Sequence, residues 1–182
     1  MLKTILESML TKGITRLWEN RNHLWLYLRA IGPYRNTPIR FSISYLFRIR
    51  IPHTDNYLLV LNRRIANQLQ PVGGVYKRYG DDKLFEKWEY QPDSQKNGLG
   101  TDEKSSRDLR FRVKGKDVIK VIKWFKEGRE REVGAYREFA EELLETGILD
   151  QHVFQTIEYR HLKRVSKHLR FSKYHNCREI LI

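Results

Sequence analysis

Four glutamates recur at helical spacing in the segment 135–149. Glu138, Glu141, Glu142 and Glu145 stand at positions i, i+3, i+4 and i+7, which predicts a helix with all four carboxylates on one face. Crowded carboxylates repel one another, and hard divalent cations such as Mg²⁺ or Mn²⁺ relieve that repulsion while keeping coordination sites for water and phosphate. On spacing alone, a solvated acidic face balanced by surface lysines is an equally good interpretation.

The overall charge of the chain has the opposite sign. Its 182 residues carry a formal net charge of +13, which favours polyanionic partners such as nucleotides, nucleic acid or an anionic membrane surface. The length suits one domain with a short extension. The single cysteine, Cys177, excludes an internal disulfide and is typical of a reducing compartment, so we expect a cytoplasmic protein.

The N-terminal region has the pattern of an amphipathic helix. Apolar residues recur at helical spacing over residues 2–17, and this stripe suits packing on the domain, on a partner or on a membrane surface. The most apolar run, residues 24–31, is far shorter than the ~20 residues that a membrane-spanning helix needs. We therefore expect residues 1–35 to be a helical extension without a transmembrane segment, followed by one domain over residues 36–182.

Strand patterns follow the extension. Apolar and polar residues alternate over residues 39–51, and the continuous apolar run at 57–64 predicts a more deeply buried strand beside it, antiparallel to the first. The polar segment 78–108 is interpreted as an inserted loop with short structure around Trp88 and Tyr90.

A glycine turn and four further elements complete the pattern. Pro71, Gly73 and Gly74 allow the backbone to turn tightly and to approach a ligand, although a plain turn is the commoner meaning. Beyond the insertion we predict a strand at 108–115, a helix at 116–128 and strands at 152–160 and 173–182, the last two separated by a segment rich in basic residues.

Two of these segments together resemble a known signature. "PVGG" at 71–74 and "REFAEE" at 137–142 match the glycine turn and the helix of the Nudix superfamily, and the order of the surrounding segments is most similar to the SMODS-associated NUDIX family. The resemblance implies a Nudix-like α/β/α sandwich with a mixed sheet, with a long insertion between the Gly-Gly turn and the Nudix helix.

The resemblance also implies roles for individual residues. Nudix hydrolases bind divalent ions through the helix glutamates, which implies Mg²⁺ or Mn²⁺ at Glu138, Glu141 and Glu142, with Glu138 and Glu142 as catalytic residues. Arg137 then orients a carboxylate by a charge-assisted hydrogen bond. The implied contacts to a bound nucleotide are Arg63, Arg64, Gly73, Gly74, Arg129 and Arg137.

The chain departs from the hydrolase signature in several places. Gly128 holds the expected glycine position, but Arg129 replaces the glutamate that should follow, and the glycine expected soon after the helix glutamates is delayed to Gly147. An arginine beside a metal site repels a cation and attracts phosphate, which favours holding a nucleotide over cleaving it. The sequence also ends inside a predicted strand, where a Nudix domain normally continues, so a truncated domain is one expectation.

Two functions follow from the resemblance. The first is a sensor or effector that binds a cyclic oligonucleotide in bacterial anti-phage (CBASS) defence, alongside a cyclic-nucleotide synthase, with the base stacked on Tyr76, Trp88 or Tyr90 and basic residues of 163–173 near the phosphates. The alternative is a Mg²⁺-dependent Nudix hydrolase of a nucleoside diphosphate derivative. Arg129 favours the first function, and the complete set of helix glutamates favours the second.

Overall fold

A five-stranded mixed sheet is the centre of the protein, in a computed structural model that describes residues 24–62, 65–93, 107–154 and 156–182. The strands of this sheet lie in the order β6-β7-β1-β9-β8; β1 and β9 are parallel, and every other pair is antiparallel. Their bounds are Pro38–Ser42 (β1), Gln91–Pro92 (β6), Arg110–Lys114 (β7), Lys167–Ser172 (β8) and Cys177–Leu181 (β9). The structure confirms the prediction of an α/β fold with a mixed sheet.

Two helices cover one face of the sheet. Residues 24–31 form α1, and Val118–Glu127 form α3, which follows a short 3₁₀ turn. Alternation along the strands supplies the facing side: Ile39 and Phe41 of β1 and Phe111 of β7 are buried against α3. The apolar stripe of α3 comprises Val118, Val121, Ile122, Trp124 and Phe125, so the strand predicted at 108–115 and the helix predicted at 116–128 are both confirmed.

The opposite face of the sheet carries charged residues instead. Cα partners in the ladder place Arg112, Arg40, Glu179 and Arg170 side by side across four neighbouring strands. Arg40 contacts Glu179 and Asp93, Arg170 contacts Glu179, and Arg112 contacts Asp93. We call these five side chains the sheet cluster.

The segment interpreted as an inserted loop is partly built into the core. Lys83–Lys87 form the short helix α2, and Phe85 and Trp88 are buried against Phe111 and Trp124. Trp88 is only 4% exposed, so the expectation that it stacks on a nucleotide base is wrong. A large aromatic ring in a polar segment packs into the core, because burying its apolar surface stabilises the protein more than an exposed loop conformation would.

Two small sheets carry the region between β1 and the insertion. Ser44–Leu46 (β2) pairs with Gly73–Val75 (β5), and Leu59–Leu61 (β3) pairs with Leu69–Pro71 (β4). The predicted strand over 39–51 is therefore interrupted after β1. The prediction of a deeply buried strand at 57–64 is wrong, because Leu59 and Leu61 are exposed and only Val60 between them is buried.

The glutamate-rich segment packs on these small sheets. Tyr136–Phe139 form α4, which continues as a π-helical turn over Ala140–Leu144. Phe139 and Leu143 form a second apolar cluster with Val60 and Val72. The wider π turn changes the helical phase, so Glu145 is exposed beyond the face that Glu138 and Glu142 share.

Other sequence expectations have mixed outcomes. The strand predicted at 173–182 is confirmed as β9, which forms a hairpin with β8 inside the basic segment. Residues 152–160 contain turns and irregular backbone within their described part, so the strand predicted there is wrong. The helix predicted over residues 2–17 lies outside the described residues, and the domain division at residue 35 stays a prediction.

Candidate functional site

Arg137 lies at the centre of a cluster of charged side chains on α4 and the residues around it. Its Nη1 donates hydrogen bonds to Glu138 Oε1 at 2.6 Å and to Glu141 Oε1 at 3.2 Å, and its Nη2 donates to the Val75 carbonyl at 3.1 Å. The Nε and Nη2 groups also reach the two carboxylate oxygens of Glu132, at 3.1 and 3.2 Å. One guanidinium thus contacts three carboxylates, and we call these four side chains the Arg137 cluster.

Glu132 is the member that sequence reasoning missed. It is 6% exposed, and its carboxylate also accepts hydrogen bonds from the Lys77 amide at 3.1 Å and the Tyr45 hydroxyl at 3.5 Å. The two parallel hydrogen bonds with Arg137 give the pair the geometry of a strong, oriented charge contact. The sequence signature places this carboxylate at position 129. The only feature of the sequence that indicated Glu132 was its position five residues before Arg137.

The chain path after α3 explains why the carboxylate lies at position 132. Gly128 ends the helix with φ +74°, and Glu130 also has a positive φ of 54°. The backbone then runs beside residues 77–78. Arg131 forms an isolated antiparallel β-bridge with Arg78, and the Glu132 amide donates a hydrogen bond to the Lys77 carbonyl. Arg129 is left exposed in the turn, and its ligand-binding role stays a prediction.

The glycine turn lies directly against the glutamates. The Gly73 amide donates a hydrogen bond to Glu142 Oε2 at 3.0 Å, and a Cβ at Gly74 would overlap the side chain of Glu138. Gly73 itself has φ +149°, and a Cβ there would overlap the Tyr45 carbonyl oxygen. The two predicted features therefore meet: Glu138 and Glu142 face Gly73 and Gly74, and only glycine leaves room for this approach.

Burial and charge shift the pKa of three groups here. Burial alone would lower the pKa of Arg137, but its hydrogen bonds to Glu132 and Glu138 outweigh that effect and raise the pKa. The pKa of Tyr45 is raised, first by burial and then by the negative charge of Glu132. Burial also raises the pKa of Asp108 against the opposing charges of Arg110 and Lys77. Arg137 and Tyr45 thus stay protonated throughout the physiological range.

The glutamates supply the right atoms for a divalent ion but not a ready arrangement. Carboxylate oxygens are the ligands that Mg²⁺ and Mn²⁺ prefer. Within the part of the chain that the structure describes, however, no three histidine, cysteine, aspartate or glutamate side chains converge as a metal site. Arg137 holds one oxygen of Glu138 and one of Glu141, so a metal ion would compete with the guanidinium for these groups.

The remaining predicted contacts comprise two arginines that lie outside the described residues and two tyrosines whose rings pack on other rings. Arg63 and Arg64 lie outside the described residues. Tyr76 is half-buried between Tyr45 and Phe125, with ring centroids 4.6 and 5.4 Å away. Tyr90 packs against Phe85, and the guanidinium of Arg78 lies over its ring, 5.0 Å from the centroid, and donates a hydrogen bond to its hydroxyl.

Comparison with known proteins decides the family. The SMODS-associated NUDIX domain matches residues 38–182, which is most of the chain and includes every residue of the Arg137 cluster. The chain belongs to the SMODS-associated NUDIX family. No curated protein and no solved structure matches it.

Membership of this NUDIX family supports a nucleotide-related role and agrees with the position of the site. Nudix domains in general use divalent metal ions, and the glutamates that would bind them lie where the Gly-Gly turn meets α4.

Within the described residues, no helix has the length and the apolar character needed to cross a membrane.

Proposed function

We propose that this NUDIX domain binds a cyclic oligonucleotide through its phosphates and acts in the cytoplasm as a sensor or effector of bacterial anti-phage (CBASS) defence. Its functional partner is then a cyclic-nucleotide synthase. The observation that carries the proposal is the placement of the Arg137 cluster and Glu142 against the Gly73–Gly74 turn. This arrangement combines backbone that a phosphate can approach with carboxylates that a bridging cation can use.

Charge favours a cation in this site. Arg137, Glu132, Glu138 and Glu141 together carry a formal charge of −2, and a phosphate would be repelled by that charge unless a divalent ion bridged the two. We assign Mg²⁺ or Mn²⁺ to Glu138, Glu141 and Glu142, where it would neutralise phosphate oxygens. Arg63, Arg64 and Arg129 are proposed to contact the ligand from outside this centre.

Binding without turnover is favoured by the way the carboxylates are held. Glu138 and Glu141 both accept hydrogen bonds from Arg137, and Glu142 accepts one from the Gly73 amide, so each candidate metal ligand is already in a charge-assisted or backbone contact. A metal ion that must displace these contacts is bound less tightly than one entering an open carboxylate site. Occupancy of such a site by the metal ion would then depend on a bound nucleotide.

A Mg²⁺-dependent hydrolase of a nucleoside diphosphate derivative is the second candidate. The observation that favours it is Glu132, whose carboxylate contacts the Arg137 guanidinium although this chain has Arg129 at the position where the signature has a glutamate. The loss of one motif glutamate therefore removes less of the hydrolase machinery than the sequence alone suggests. For the same reason, Arg129→Glu is not expected to create hydrolysis in a protein that lacks it.

Calorimetric titration with cyclic di- and trinucleotides and with linear nucleoside diphosphate derivatives, each with and without Mg²⁺, separates the two functions. If the protein is a sensor, we expect a micromolar or lower Kd for a cyclic species, which is a binding free energy of about −8 kcal/mol or stronger. The ligand should then be recovered intact by chromatography. Multiple turnover of a linear or cyclic species, lost in Glu142→Gln, would replace the sensor with the hydrolase.

A further inference from the structure

A cavity of about 280 Å³ lies between α1, α3 and the end of β9. Its walls are apolar, and its polar groups are two cations and a hydroxyl. The lining residues are Leu26, Ile122, Phe125, Ile180 and Ile182 on the apolar side and Lys126, Arg164 and Ser166 on the polar side. The cavity therefore combines an apolar floor with a positively charged edge.

The two cations are available to a ligand. Among the described residues, neither Lys126 nor Arg164 takes part in an ion pair or a side-chain hydrogen bond, and no acidic residue lines the cavity. Arg164 lies 5.7 Å from the centre of the Phe125 ring, and Arg131 covers the same ring at 4.0 Å. Positive charge is thus concentrated at one end of a space whose other walls are mainly apolar.

Size limits what the cavity can hold. Its volume lies just below the range of about 300–1,000 Å³ that is typical of small-molecule sites. It accommodates a molecule of the size of one mononucleotide or a short acyl chain, and it is too small for a whole cyclic oligonucleotide. The cavity is a different site from the Arg137 cluster, because the rings of Phe125, Tyr76 and Tyr45, packed edge to face, lie between the two.

We propose that this cavity binds a small organic anion, a phosphate monoester or carboxylate whose body is apolar or a flat ring. The body lies against Ile122, Phe125 and Ile182, and the anionic group is held by Lys126 and Arg164. A nucleoside monophosphate and a medium-chain fatty acid share this chemistry. The inference is independent of the proposed function, since it uses none of the residues of the Arg137 cluster.

The test is titration of the full chain, in EDTA to suppress metal-dependent binding elsewhere, with AMP in one arm and octanoate in the other. Binding of either compound at submillimolar Kd is expected, and the arm that binds identifies the body. Lys126→Ala and Arg164→Ala should each weaken that binding tenfold or more. Lys123→Ala is the matched control, because Lys123 is an exposed lysine of α3 that does not line the cavity.

Two outcomes would overturn the inference. One is the failure of both compounds to bind below millimolar concentration. The other is binding that survives Lys126→Ala and Arg164→Ala but is lost in Glu142→Gln, which would place the anion at the Arg137 cluster. Lys126 is exposed, so its variant tests the site without disturbing the core, and a thermal melt of each variant verifies folding.

Discussion

The Arg137 cluster and the sheet cluster differ in charge balance and in the elements that carry them. The Arg137 cluster has one arginine among three glutamates, a formal charge of −2, and it stands on short elements beside a glycine turn. The sheet cluster has three arginines and two carboxylates, a formal charge of +1, and four of its members lie side by side on neighbouring strands.

The difference indicates which cluster supports the fold and which supports a function. In the sheet cluster, Arg40 and Glu179 have side chains only 6% and 3% exposed, so each needs the other to remain charged inside the protein. In the Arg137 cluster, Glu141 has a side chain 40% exposed, and the acidic excess is within reach of solvent ions. We infer that the sheet cluster is structural and that the Arg137 cluster is the working site.

The largest expected effect comes from breaking the sheet cluster. Arg40→Ala leaves the buried Glu179 with fewer partners and removes one from Asp93, and we expect the free energy of unfolding to fall by about 3–5 kcal/mol. Arg50→Ala is the matched control, because it removes an exposed pair with Asp55 that is worth at most about 1 kcal/mol. Chemical denaturation of both variants measures the contrast, and equal losses would show that the sheet cluster has no special structural role.

The next effect separates charge from shape in the Arg137 cluster. Glu132→Gln keeps the shape but removes the charge that faces the buried side of Arg137, and we expect a loss of about 1–3 kcal/mol in unfolding free energy together with weaker nucleotide binding. Glu145→Gln, on the exposed side of the same segment, should change neither quantity. A Glu132→Gln protein with unchanged stability and binding would show that Glu132 does not position Arg137.

A smaller effect on stability, with a larger one on function, is expected at the turn. Gly74→Ala places a methyl group where the Glu138 side chain lies, and Glu138 can rotate away at a cost of about 1 kcal/mol in lost contact with Arg137. Metal-dependent nucleotide binding should fall about tenfold. Adding Glu138→Ala to Gly74→Ala should then weaken nucleotide binding little further. Additive losses of binding free energy in this double-mutant cycle would contradict the contact between Gly74 and Glu138.

The smallest effect concerns pH and the sheet cluster. Burial, together with the charge of Arg40, lowers the pKa of His175, although Asp93 and Glu179 oppose the shift. The unfolded chain therefore takes up a proton before the folded protein does, and unfolding free energy falls as the pH drops through the ordinary value of 6.5. In His175→Gln, the fall in unfolding free energy between pH 7.5 and 5 should be smaller than in the wild type. Identical pH profiles for wild type and His175→Gln would contradict this assignment.

Local patterns predicted the elements that have one apolar and one polar face. The stripe of α3 and the alternation of β1, β7 and β9 were readable because each has one apolar face and one polar face. The failures arise where distant residues decide. Val60 is buried only because Phe139 and Leu143 pack on it, and Trp88 is buried only because β7 and α3 provide a partner.

The site was predictable to a similar extent. The spacing of Glu138, Glu141 and Glu142 and the glycines at 73 and 74 identified both halves of it, and the structure brings Glu138 and Glu142 to that turn. Glu132 was missed because its role depends on the turn after α3, where positive φ angles at Gly128 and Glu130 shift the chain relative to the sequence motif.

The most direct test of the central claim is paramagnetic broadening of backbone amide signals by Mn²⁺ in the presence of nucleotide. We predict that broadening concentrates at Gly73, Gly74 and residues 138–142, disappears in Glu142→Gln and persists in Glu145→Gln. Broadening at residues 170–179 beside the sheet cluster, or a pattern unchanged by Glu142→Gln, would contradict the assignment of the Arg137 cluster as the working site.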